Sequence, residues 1–127
     1  MVIPSLFHHM VEVSKEIDQE MQDTLGEGLD FYRRLCIMEA LQNAIQHGNK
    51  CVETKKVFIY VEASPHRFYF VVRDEGEGFD FTNLPDPRSK ENLEKVGGRG
   101  IFLMRHFMDE VRFVGKGNEI HLIQSIE

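Results

Sequence analysis

Two pairs of β-rich runs, separated by a long stretch rich in glycine and proline, constrain the fold of this chain more than any other feature. The first pair covers residues 57–61 and 68–72, and the second lies near residues 110–114 and 119–126. Valine, isoleucine, phenylalanine and tyrosine dominate these runs, and a short polar connection containing proline or glycine joins each pair. Such patterns are typical of β-hairpins, so each pair is predicted to be antiparallel.

Three segments outside these runs are predicted to be helices. Apolar residues at spacings of three and four predict an amphipathic helix from about Ser5, as its cap, to Met21. A second helix is predicted over residues 29–47, stopped by Gly48-Asn49, and a short one over residues 100–108. Four strands in two hairpins, with helices before and between them, favour an α+β fold. We expect a two-layer sandwich whose mostly antiparallel sheet carries the helices on one face.

Length and composition limit the classes of protein to consider. A chain of 127 residues, 42% hydrophobic and 28% charged, is expected to form a single domain over residues 1–127. No apolar run is long enough to span a membrane and no secretory signal is evident, so we expect a cytoplasmic protein without membrane contact. A net charge of −6 argues against direct nucleic-acid binding, which needs clustered cations. Two cysteines without a CxxC pattern indicate plain thiols.

The second predicted helix carries a polar face opposite its apolar one. Glu39 and Asn43 lie one turn apart on this face, so their side chains are neighbours. Polar pairs at this spacing are common on solvated helix surfaces, and the pair alone does not establish a site.

The segment that follows the first hairpin delivers an aspartate into a glycine turn. Strand residues Val71 and Val72 lead through Arg73 to Asp74, which opens the pattern Asp-Glu-Gly-Glu-Gly. Glycines at Gly76 and Gly78 let a ligand approach the main chain closely. A carboxylate fixed at a strand end can accept a hydrogen bond from an exocyclic amine such as that of adenine. The alternative is a tight acidic turn without function.

A glycine cluster leads directly into the third predicted helix, in the order Gly97-Gly98-Arg99-Gly100. Free amides at a helix N-terminus, together with the helix dipole, favour phosphate groups. A flexible linker before a capped helix is the alternative. The Walker A and Rossmann glycine patterns are both absent from the sequence.

The order of these features resolves the alternatives. A helix with Glu-x-x-x-Asn, a hairpin, Asp-x-Gly-x-Gly, a long loop and Gly-x-Gly before a helix together resemble the GHKL ATPases, the superfamily of gyrase, Hsp90, histidine kinases and MutL. Within that superfamily, residues 29–125 are most similar to the stand-alone serine-protein kinases that act as bacterial anti-sigma factors. EALQNAIQHGNK and VRDEGEGFDF are the segments that carry much of this resemblance.

The resemblance implies a role for each matching residue. Glu39 would be the general base, Asn43 would coordinate Mg²⁺ on the phosphates of ATP, and Asp74 would bind the adenine amine. A lid over residues 81–98 would close over the triphosphate. The other nucleotide-binding residues implied are Gly76, Gly78, Gly98, Arg99 and Gly100. Lys50 is a further candidate for phosphate binding, whereas His47 is given no catalytic role.

Two departures from the family pattern stand out. The family commonly has a glycine-threonine sequence near the adenine in its last hairpin, where this chain has Gly117-Asn118-Glu119. The family also begins with a strand, for which only residues 1–4 remain here, so that sheet edge is expected to be short or missing.

The function implied is that of an ATP-dependent serine/threonine-protein kinase acting as an anti-sigma factor. Its partners would be a small anti-anti-sigma (STAS-type) protein, phosphorylated on Ser or Thr, and a sigma factor, with homodimerisation possible. One alternative is an ATP-binding module that sequesters a partner without phosphotransfer. Another is the ATP-binding half of a phosphorelay kinase, which the short N-terminal segment makes the weaker alternative.

Overall fold

A computed structural model describes residues 1–78 and 98–125 of the chain. The predicted lid therefore lies outside the described residues, except for Gly98 at its end. The described elements, in chain order, are β1 (Val2–Pro4), α1 (His8–Leu25), α2 (Phe31–Gln42), a π-helical segment (Asn43–Gly48), β2 (Lys56–Ala63), β3 (Arg67–Arg73), α3 (Gly98–Phe107), β4 (Glu110–Val114) and β5 (Glu119–Ser125).

The strands form one antiparallel sheet in the order β1-β2-β3-β5-β4. Both predicted hairpins are present, and β3 and β5, one from each hairpin, pair at the centre of the sheet. The edge strand whose existence was in question is present, because Val2 to Pro4 pair with β2 as a short fifth strand. The two hairpins are thus joined side by side, which brings the turn after β3 next to the turn before β5.

Alternating burial along the strands places the core on one face of this sheet. Phe68, Phe70 and Val72 of β3 are buried, whereas the residues between them are partly exposed. The buried strand residues pack in one cluster with the inward faces of α1, α2 and α3. The predicted α+β architecture, with helices on one face of a mostly antiparallel sheet, is confirmed.

The predicted start of α1 at Ser5 is wrong. Ser5 is fully buried, and its hydroxyl donates to the carbonyl oxygen of Lys55 at 2.7 Å rather than capping a helix. The helix begins at His8 and continues beyond Met21 to Leu25, where Gly26 adopts a left-handed conformation with φ 76°. No helix among the described residues is long and apolar enough to cross a membrane.

The second helix is shorter than the predicted α-helix over residues 29–47. It begins after Asp30, whose side chain accepts a hydrogen bond from the amide of Arg33, and its α-helical part ends at Gln42. The next turn is π-helical, with the Asn49 amide donating to the Ala44 carbonyl at 2.8 Å. Single π-helical turns are often found at functional sites. The third helix begins at Gly98 rather than Gly100 and ends at Phe107.

The alternation in the sheet predicts opposite results for two aromatic positions. Phe70→Ala should lower the free energy of unfolding by about 3–5 kcal/mol, because it empties a fully buried site. Tyr60→Ala, at a side chain that is 56% exposed on β2, should change it by less than about 1 kcal/mol. Urea denaturation of both variants measures the difference, and equal losses would contradict the assigned face of the sheet.

Candidate active site

A cleft of about 310 Å³ opens between the helical layer and one end of the sheet. The end of α2 with the π-helical turn forms one wall, the turns after β3 and before β5 form another, and the start of α3 closes one side. Its lining residues are Ala40, Asn43, Ala44, His47, Gly48, Lys50, Val72, Asp74, Glu77, Gly78, Ile101, Phe113, Gly117, Asn118, Glu119 and Ile120.

Asp74 is the buried carboxylate of this cleft. It follows β3 directly, and one of its oxygens accepts a hydrogen bond from the Gly76 amide at 2.8 Å. Burial raises the pKa of Asp74 above its ordinary value, and the Gly76 hydrogen bond and the charges of Lys116 and Lys55 oppose this rise. A buried carboxylate on the wall of a cleft is suited to accept hydrogen bonds from a ligand.

The glycines around Asp74 leave no room for side chains. A Cβ atom on Gly48 would collide with the Asp74 carboxylate, and one on Gly76 would collide with the carbonyl oxygen of Gly48. Gly78 has a φ of 81°, which L residues rarely adopt, and its backbone lies against the carbonyl oxygen of Lys116. The end of the π-helical segment therefore packs directly on the Asp74 turn, with the main chain of Gly48 against both the Asp74 carboxylate and the main chain of Gly76.

Glu39, Asn43 and Gly100 meet where α2 packs against α3. A Cβ atom on Gly100 would lie 2.8 Å from Glu39 Oε2 and 3.3 Å from Asn43 Nδ2. Gly100 itself is buried, whereas Glu39 and Asn43 are half-buried. The polar face of α2 is thus covered by α3 and the cleft, and is not an ordinary solvated surface.

The start of α3 adds backbone donors next to this group. The first amides of a helix have no partner within it and carry the positive end of its dipole. Gly98, Arg99 and Gly100 are the first three residues of α3. The structure does not describe the side chain of Arg99, so its predicted contact lies outside the described part of the chain.

Two residues near the end of the second helix, His47 and Lys50, also line the cleft. His47 lies one turn beyond Asn43 and lines the cleft, where burial lowers its pKa and favours the neutral ring. The spacing of four residues between Asn43 and His47 was the sequence signal that could have indicated this position in the cleft. Lys50, the candidate for phosphate binding from the sequence, adopts a left-handed conformation with φ 54°.

Asn118 stands where the family commonly has threonine, and it binds the Asp74 peptide at both ends. Its side-chain amide donates to the Asp74 carbonyl oxygen at 2.8 Å, and its own carbonyl accepts from the Asp74 amide at 2.9 Å. This position therefore retains a structural connection between the last hairpin and the aspartate turn without the threonine hydroxyl.

Asn49 connects the same turn to the neighbouring strands β1 and β2 at this end of the sheet. It is fully buried, and its side-chain oxygen accepts from the Glu75 amide at 2.7 Å. Its side-chain nitrogen donates to the Ser5 hydroxyl at 2.7 Å and to the Lys56 carbonyl oxygen at 2.9 Å. From the sequence, Asn49 was identified only as part of the Gly48-Asn49 signal that ends the second helix.

Comparison with known families agrees with this arrangement. The model of the histidine kinase-like ATPase domain matches residues 5–124. The chain belongs to this family. Its match includes both walls of the cleft, and the resemblance noted from the motifs is confirmed.

Three members of the family show which kinds of protein this chain is similar to. The chain is 33% identical to an anti-sigma F factor of Anoxybacillus flavithermus over 85% of this chain and 74% of that protein. It is 39% identical to the anti-sigma F factor of Bacillus subtilis over 59% of this chain and 53% of that protein. It is 33% identical to the serine-protein kinase RsbW of Bacillus subtilis over 62% of this chain and 53% of that protein. The matched regions thus span about half to three quarters of these relatives.

Removing the charge of Asp74 should weaken ligand binding without damaging the fold. We expect Asp74→Asn to lower the affinity for ADP by about 1–3 kcal/mol, the usual range for losing a charged hydrogen bond. Without bound nucleotide, the Asp74→Asn variant should be at least as stable as the unsubstituted protein at pH 7, because burial disfavours the ionised carboxylate. Calorimetry and urea denaturation measure the two effects.

The pH dependence of stability tests whether the buried Asp74 carboxylate causes the stability difference between the two proteins. Since the pKa of Asp74 is higher in the folded chain than in the unfolded one, the aspartate gains stability as the pH falls from neutral through its folded pKa. The gain is complete below the unfolded pKa of about 4. The advantage of Asp74→Asn should therefore shrink between pH 7 and pH 4, and an advantage that grows over this range would contradict the assignment.

Gly100→Ala should lower phosphotransfer activity while changing the stability of the fold only slightly. The added methyl group meets the end of the flexible Glu39 side chain, which can turn away at little cost to the fold. We expect a change in unfolding free energy below about 1.5 kcal/mol, together with a loss of any phosphotransfer that depends on the Glu39 carboxylate. A variant with full transfer would show that Glu39 need not occupy its present position.

Proposed function

We propose that this protein is an ATP-dependent serine/threonine-protein kinase that acts as an anti-sigma regulatory factor. The observation that carries the proposal is one cleft lined by a buried carboxylate, Asp74, and by Asn43, with a second carboxylate, Glu39, close to the same point at the start of α3 as Asn43. The first group is suited to a nucleotide base and the second to a reacting phosphate. Relatives named as an anti-sigma factor and as a serine-protein kinase support the same function.

The residues of the cleft fit ATP in their chemistry. The Asp74 carboxylate can accept the adenine amine. We assign the main chain at Gly76 and Gly78 to the base as well, as the family resemblance implies, and close packing against the carbonyl oxygens of Gly48 and Lys116 holds that main chain in place. The α3 amides, from Gly98 through Arg99 to Gly100, suit the phosphates. We assign the Arg99 side chain to the phosphates as well, as the family resemblance implies.

Mg²⁺ fits the donor set through Asn43. Asn43 lines the cleft, and its side-chain oxygen is of the ligand type that Mg²⁺ takes together with substrate phosphates. When bound, such an ion neutralises phosphate charge and keeps the triphosphate aligned. We assign the side-chain oxygen of Asn43 as its protein ligand.

We assign Glu39 as the general base. A serine hydroxyl that attacks the γ-phosphorus loses its proton as the new O–P bond forms and ADP departs. The Glu39 carboxylate, close to Gly100 and Asn43, can accept that proton. His47 remains neutral through burial and adds no positive charge to this step.

The partners follow from the same proposal. A sigma factor and a small anti-anti-sigma protein would bind alternately, and phosphorylation of the latter would determine which complex forms. These partners act in the cytoplasm, where we place this chain. Homodimerisation stays a prediction.

Two other functions fit the structure less well. A module that only sequesters a partner does not need the Glu39 carboxylate, which lies close to Asn43 and Gly100. In the phosphorelay alternative, His8 or His9 would accept the phosphate. These residues begin α1, whose inward face is buried in the core of the same sandwich, so α1 does not form part of a separate helical phosphoacceptor domain.

Glu39→Gln should abolish phosphotransfer while leaving ATP binding intact. The amide has nearly the same shape as the carboxylate but cannot accept the proton, so we expect transfer to fall by about 10²–10⁴-fold. The assay uses labelled ATP, Mg²⁺ and the small anti-anti-sigma proteins encoded in the same genome. Glu16→Gln, at an exposed position on α1, is the matched control and should retain full activity.

Two outcomes of this assay have different meanings. Full transfer by Glu39→Gln would refute the role of Glu39 as base. ATP binding without transfer by the unsubstituted protein, to any of these acceptors, would instead support the sequestering module.

A further inference from the structure

We propose that Asn49 is a positioning residue that holds the Asp74 turn in the place where it selects adenine over guanine. The proposal rests on the nucleotide-binding function given above. Asn49 belongs to none of the three motifs and does not line the cleft. It acts through the backbone of the residue that follows Asp74.

The bonding of Asn49 is complete and directional. Both hydrogens of its side-chain amide are used, one toward Ser5 Oγ at 2.7 Å and one toward the Lys56 carbonyl oxygen at 2.9 Å. The amide orientation is therefore fixed, and the side-chain oxygen faces the Glu75 amide at 2.7 Å. A fully buried amide with three partners holds its neighbours within a narrow range of positions.

Asn49 and the residue before it hold successive parts of the turn. The main chain of Gly48 lies against the Asp74 carboxylate and against Gly76, while Asn49 binds Glu75 between them. The Glu75 side chain in turn accepts from the Lys56 amide at 2.6 Å, which ties the turn to the start of β2. A shift of the turn at Glu75, next to Asp74, would therefore stretch or break the Asn49 hydrogen bond.

The position of this carboxylate decides which purine it accepts. Adenine presents an amine donor at the position where guanine presents a carbonyl acceptor. A carboxylate fixed opposite that position binds adenine and repels guanine. If the carboxylate could slide along the base edge, it would meet the ring N–H and amino donors of guanine instead. Fixing the turn therefore provides selectivity as well as affinity.

Ser5 is the natural control for a purely structural role. Its side chain is as deeply buried as that of Asn49, and its hydroxyl both accepts from Asn49 and donates to the Lys55 carbonyl oxygen. Both of these hydrogen-bond partners of Ser5 lie outside the Asp74 turn. Ser5→Ala removes part of the same network and leaves the bond from the Glu75 amide to Asn49 in place.

The test compares ADP and GDP binding by calorimetry on the full chain, together with melting temperatures. We expect the preference for ADP over GDP to fall about 10-fold or more in Asn49→Ala, with most of the loss on the ADP side. Ser5→Ala should lower the melting temperature but keep the preference within about 2-fold of the unsubstituted protein. Asn49→Ser, which retains a hydroxyl but is too short to bind the Glu75 amide, serves if the alanine variant does not fold.

The outcomes separate this inference from the function on which it rests. If the unsubstituted protein binds neither nucleotide, the nucleotide-binding function itself fails. If it prefers ADP and Asn49→Ala keeps that preference, Asn49 is not a positioning residue. An equal loss of preference in Ser5→Ala would likewise overturn the inference, because general destabilisation would then explain both.

Discussion

The contact between the end of the second helix and the Asp74 turn is the constraint on which the rest of the site depends. Gly48 brings main chain against the Asp74 carboxylate, and Asn49 binds the next peptide of the turn. Neither contact tolerates a larger residue at Gly48 or Gly76. Since Glu39 and Asn43 lie on the same helix, this one junction fixes the distance between the proposed base-binding and phosphate-binding ends of the site.

The site lies where its buried charge costs stability. Burial disfavours the ionised form of Asp74, and the Gly76 amide and two lysines only partly offset the penalty. A protein selected for stability alone would place a neutral residue there. A buried carboxylate in a cleft, placed there in spite of this cost, is a candidate ligand-binding group. The same cleft also explains how a chain with net charge −6 can bind an anionic nucleotide, because helix amides supply local positive potential.

Much of this arrangement was predictable from the sequence, since local patterns determine it. The alternation of residues 68–72 predicted a half-buried strand, and the order of the three motifs predicted the family. The start of α1 was mispredicted because a serine before an apolar periodic segment is the usual cap signal, whereas Ser5 bonds to Lys55, fifty positions away. The role of Asn49 has the same origin, because its partners lie far apart in the chain and only the folded sheet brings them together.

The most direct test of the account is a crystal structure of the protein with Mg²⁺ and a non-hydrolysable ATP analogue. The account predicts that the adenine amine donates to the Asp74 carboxylate and that Mg²⁺ contacts Asn43. It also predicts that the γ-phosphate lies near Glu39 at the start of α3. A nucleotide bound outside this cleft, or a base that makes no contact with Asp74, would contradict the central claim.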